Sequence, residues 1–139
     1  MAHNISLNLD GDGIAEMSCV SGVVGKVGPI MDLANSGRPI IAIDGCALSC
    51  TRSCLEASGL SADYYYQISD LGFEKRSKWN DSLTENTIAM KSIYDKLFEE
   101  GIGFNKKKYF SLQTLAKSIE CKNSMLDINI SLQISNRKA

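Results

Sequence analysis

The sequence predicts an α/β fold: a Rossmann-like, three-layer arrangement around a mainly parallel sheet, with C-terminal helices and an edge strand added to it. Three observations predict it. The apolar run Pro39-Ile40-Ile41-Ala42-Ile43 stops at Asp44-Gly45, as a buried strand does when it feeds a turn. A second run, Tyr64 to Ser69, is rich in aromatic and β-branched residues. Helical patterns separate the strands, and the order strand, helix, strand, helix, strand implies right-handed crossovers and parallel pairing.

Ala2 to Asp10 is ambiguous on its residues alone, because Ile5, Leu7 and Leu9 alternate as in a strand. Gly11-Asp12-Gly13 reads as a turn, and Ile14 to Cys19 as a short strand that delivers Cys19 at its end. Ser21 to Gly28 reads as a flexible loop spaced by Gly22, Gly25 and Gly28. A helix is expected from Pro29 to Ser36, with Pro29 in its first turn and Gly37 as its C-cap. The strand over 39–44 then leads into a helix that starts near Cys46 and runs to about Ser58, where Gly59 stops it.

After Trp79 the composition shifts, which divides the chain into a cysteine-bearing core, 1–78, and a helical extension of the same domain, 79–139. Ser82-Leu83-Thr84-Glu85 is a capping box, and Leu83, Ile88, Ile93, Leu97 and Phe98 mark an amphipathic helix that Gly101 ends. A further helix is expected from Ser111 to Ile119, behind Lys106-Lys107-Lys108. Ile128, Ile130, Leu132 and Ile134 alternate as in an edge strand, and Asn136 to Ala139 is a frayed tail.

Composition bounds the function. At 139 residues and 44% hydrophobic, the chain is long enough to bury its own core. Fifteen basic and sixteen acidic residues leave a formal charge of −1, which supplies no electrostatic footprint for nucleic acid or anionic lipid. No stretch approaches the ~20 apolar residues that span a bilayer, and the N-terminus lacks a signal-peptide layout, so a cytoplasmic protein is expected. The expected partners are a metal ion, small molecules or proteins, including a second copy covering an open sheet edge.

The five cysteines are an odd number, spaced for metal or redox use in a reducing compartment rather than for a disulfide framework. Cys46, Cys50 and Cys54 fall one helical turn apart behind the strand. A thiol at a helix N-terminus sees the partial positive charge of the backbone N–H groups, which favours the thiolate. On a regular helix, Cys46 and Cys50 would have Cβ atoms ~5–6 Å apart, close enough to share one metal. Cys54 would stand ~12 Å along the axis from Cys46, out of reach of the same ion unless Cys46 lies in the loop before the helix. Cys19, leaving a neighbouring strand at the same edge, completes the geometric first choice of Cys19, Cys46 and Cys50. Cys54 is either a fourth ligand through a bent loop or a buried apolar thiol.

Ile43-Asp44-Gly45-Cys46-Ala47-Leu48-Ser49-Cys50, with Glu16-Met17-Ser18-Cys19 upstream and Asp70-Leu71-Gly72-Phe73-Glu74-Lys75 downstream, resembles the DGC-domain family, named for its Asp-Gly-Cys motif. The resemblance covers roughly residues 1 to 76. It implies zinc binding through cysteines, without implying a biological process, and it implies that Ala2 to Asp10 is the second half of a helix. Members of that family begin with a further strand ending in a Cys-Ser-Gly-Cys-like pair, whereas this chain starts at Met1-Ala2-His3-Asn4. With that pair missing, the ligand set left is Cys19, Cys46, Cys50 and Cys54.

Zinc is the favoured cofactor, since it suits a soft thiolate site without carboxylate or imidazole, and the same ligands would hold an iron–sulfur cluster. The alternative is a thiol-based redox or sulfur-transfer protein in which Cys46 attacks and Cys50 resolves. No Cys-X-X-Cys motif is present, and no histidine lies near the thiols, so whether the chain is an enzyme stays open and no catalytic residue is assigned. A third reading is a small interaction protein whose site has decayed. Asp44 reads equally as a group orienting a metal ligand and as an ordinary Asp-Gly turn. His3 and Cys121 read as bystanders.

Overall fold

Two short strands pair in parallel at the centre: β1, Ile41–Asp44, and β2, Tyr64–Gln67, with Ile43 opposite Tyr66 and Ala42 opposite Tyr65. A computed structural model describes residues 1–73, 82–102 and 114. By contact, Met1–Gly103 form one compact unit and Phe104–Ala139 a second. The expected helix over 111–119, except Thr114, lies outside the described residues, as do the strand over 128–134, the frayed tail, Trp79 and Cys121.

Ala2–Gly11 forms helix α1 and not a strand. Ile5 and Leu9, four apart, are its buried face, while Leu7, the middle member of the apparent alternation, is exposed. The strand expected over Ile14 to Cys19 does not form. The N–H groups of Ile14 and Ala15 both bond to the Leu9 carbonyl at the end of α1, and that of Met17 to the Asp10 carboxylate, so donors that a ladder needs are already used.

The glycine-spaced loop is also corrected. Val20–Val24 is a short helix, α2, followed by α3, Gly28–Ala34, with Pro29 in the first turn. Gly22 belongs to the packing here, because a Cβ at that position would stand 2.2 Å from Ile30 Cδ1. Its bare backbone lets α2 approach α3. Helix α4 is Cys50–Ala57, four residues later than expected at its start, and Gly59 follows it at φ 78°.

A 3-10 turn, Ile68–Leu71, follows β2, and α5 runs over Leu83–Glu99. Ser82 Oγ accepts from the Glu85 N–H, as the capping motif predicts. Of the apolar face expected on α5, Ile93 and Leu97 are buried, with Ala89 and Tyr94 beside them, whereas Leu83 and Phe98 are largely exposed. Ile5, Leu9, Ile43, Tyr66 and Ile68 are buried as well, and Val23, Ala42 and Leu55 form a packed group that unites α2, β1 and α4. Alternation along the strands explains the division, since Ala42 and Tyr65 pack with α4 while the Tyr66 hydroxyl donates to Glu100 beyond α5. The chain is a mixed α/β protein with a small parallel sheet, and no helix among the described residues is long and apolar enough to cross a membrane.

Candidate functional site: the cysteines around the strand ends

Asp44 closes β1 and is buried, yet its carboxylate is fully engaged with backbone. One oxygen accepts from the Thr51 N–H at 2.8 Å and the other from the Arg52 N–H at 3.1 Å. Those are among the orphan donors at the start of α4, so the aspartate of the Asp-Gly-Cys motif caps the helix and sits at its positive end. The motif's acid thereby positions the cysteine helix.

Between them, residues 45–49 make a turn in which the Ser49 N–H bonds to the Cys46 carbonyl at 3.1 Å. Ser49 is left-handed at φ 49°, ψ 43°, which costs a non-glycine residue roughly 1 kcal/mol and stops the helix from starting earlier. Its hydroxyl compensates, donating to Gln67 Oε1 at 3.0 Å and accepting from the Tyr65 hydroxyl at 2.9 Å. Gln67 in turn donates to Asp70 at 2.6 Å, and the Arg52 guanidinium lies 5.2 Å from the Tyr65 ring centroid. This polar chain across β2 and α4 was not legible, because Tyr65 and Gln67 carry no motif and Ser49 reads only as a spacer between Cys46 and Cys50.

Cys46 is therefore a turn residue, and the premise that Cys46 and Cys50 share a helix face is corrected. Cys50 and Cys54 are the pair spaced i, i+4 on α4. Cys50 is exposed and Cys46 and Cys54 are half-buried; all three thiols are free. His3 is an exposed residue of α1.

Cys19 is the extended N-cap of α2. Its sulfur lies 2.9 Å from Ser21 Oγ. The Ser21 hydroxyl first, and then the backbone N–H groups of Gly22 and Ser21, stabilise a negative sulfur and hold the Cys19 pKa below that of an ordinary thiol. The signal for this arrangement was a cysteine followed two residues later by serine and then glycine.

A cleft of about 390 Å³ opens beside Cys19. Its lining includes the segment Ile14 to Val20, Ile40, Ile41 and Ile43, and Thr51 and Leu55 of α4. Most of the lining is apolar. Arg38 and Glu16, also in the lining, form an exposed ion pair at 2.7 Å. The cysteine helix thus borders the Cys19 cleft through Thr51 and Leu55. Among the described residues, no three His, Cys, Asp or Glu side chains gather as a set able to hold a metal ion.

The chain is 41% identical over 76 residues to the anaerobic and virulence modulator AnvM of Pseudomonas aeruginosa, a match covering 55% of this chain and 58% of that protein. The chain thus spans little more than half the length of that relative. No solved structure matches it. The model of the DGC domain matches residues 1–93, which takes in the Cys19 segment, the Asp44-capped cysteine helix, β2 and most of α5. Two thirds of its length and all four described thiols lie inside that match: the chain belongs to the DGC-domain family.

Proposed function

We propose that this chain is a thiol-dependent regulatory protein in which Cys19 is the reactive group and an oxidant is the signal. One observation carries the reading: an exposed sulfur at a helix start, 2.9 Å from a serine hydroxyl and served by two backbone N–H groups. The thiolate is the nucleophilic form of cysteine, and accessible, low-pKa thiols are the ones that oxidants reach. With a hydroperoxide, the thiolate electron pair attacks one peroxide oxygen, the O–O bond breaks, and hydroxide or alkoxide leaves as sulfur becomes a sulfenic acid. The relative in Pseudomonas aeruginosa is named an anaerobic and virulence modulator, and a thiol whose state follows oxidant supply suits a module of that kind. Timed alkylation with iodoacetamide, read by mass spectrometry, tests it. Cys19 is expected to label first, with a rate midpoint below the ordinary thiol range. Equal labelling of the exposed Cys50 and of Cys19 at neutral pH would sink the reading.

Zinc is the second reading, and the place of Cys46 favours it. In the turn before α4, Cys46 is released from the ~12 Å helical rise that would separate it from Cys54. Cys46, Cys50 and Cys54, with Cys19 arriving by movement of α2, would make a thiolate set for zinc or an iron–sulfur cluster. A Rossmann-like sheet larger than the two described strands would bring those sulfurs to one carboxyl edge. About one zinc per chain in protein purified without chelator, with fewer than five titratable thiols, supports it. Five free thiols and no metal removes it.

A further inference from the structure

We draw no further inference here: the strongest candidate, the mostly apolar cleft lined by the segment Ile14 to Val20 and by Ile41 and Ile43 of β1, belongs to the site already described, and nothing in the structure shows what covers it.

Discussion

At the scale of single residues, two side chains decide how the sulfur chemistry is set up, and neither is a cysteine. Ser21 stabilises the Cys19 thiolate more than any other contact. Ser21→Ala should therefore raise the Cys19 pKa and slow its alkylation at pH 7 severalfold, with little change at pH 10, where the thiol is ionised in both proteins. A uniform slowing at all pH values would show instead that the substitution merely blocks access. Asp44 holds the start of α4 by two backbone bonds, so Asp44→Ala should cost about 1–2 kcal/mol in urea unfolding. If Asp44 served only a metal ligand, the loss would disappear in protein stripped by chelator.

At the scale of elements, α5 shows how one face of a helix anchors while the other stays free. Ile93 has no exposed surface, so its truncation leaves a cavity in the core, whereas Leu83 is 83% exposed. Ile93→Ala should cost about 2–4 kcal/mol, and Leu83→Ala less than about 0.5 kcal/mol. Chemical denaturation of the two variants side by side checks the orientation, and comparable losses would mean that Leu83 is covered in solution. The apolar positions were visible along the chain, but Leu83 and Phe98 were assigned to the wrong side. Periodicity finds a helix and roughly orients it; only the neighbouring α1 and the 3-10 turn determine how wide the buried stripe is.

At the scale of the whole described unit, phenol to carboxylate bonds tie α5 and its end to the rest. The Tyr94 hydroxyl donates to Asp12 at 2.8 Å just after α1, and the Tyr66 hydroxyl donates to Glu100. Burial pushes the Tyr94 pKa up to about 12, and burial followed by Glu100 pushes Tyr66 higher. A raised folded-state pKa means that the native chain holds the proton more tightly than the unfolded chain does. The stabilisation is then complete below about pH 10, the unfolded value, and is lost as pH climbs through the folded value. Stability should fall between pH 10 and pH 12, and Tyr94→Phe, costing about 1 kcal/mol at pH 7, should make that fall shallower. Urea midpoints at pH 8 and pH 11 measure it, and parallel losses in both proteins would exclude Tyr94 as a source. The same melting experiment addresses metal: a chelator should strip any bound zinc without loss of helical signal, because the apolar groups of α1, β1 and α5 are buried without it. Collapse on chelation would make the metal structural.

The sequence by itself determined the mixed α/β class, the β1 and β2 runs, the capped start of α5 and the family, because each of these is written in contiguous residues: apolar runs, a capping box, an Asp-Gly-Cys motif. The tertiary structure alone decided the rest. Whether Ile14 to Cys19 is a strand depended on the Leu9 carbonyl and the Asp10 carboxylate, which claim its N–H groups, and whether Cys46 is helical depended on Ser49 being held left-handed by Tyr65 and Gln67. Pattern reading places a cysteine on an element, but the direction of its sulfur, and hence its chemistry, follows from hydrogen bonds to residues on other elements. For Cys19 the partners are near in sequence, Ser21 and Gly22, yet only the folding of α2 turns them toward the sulfur.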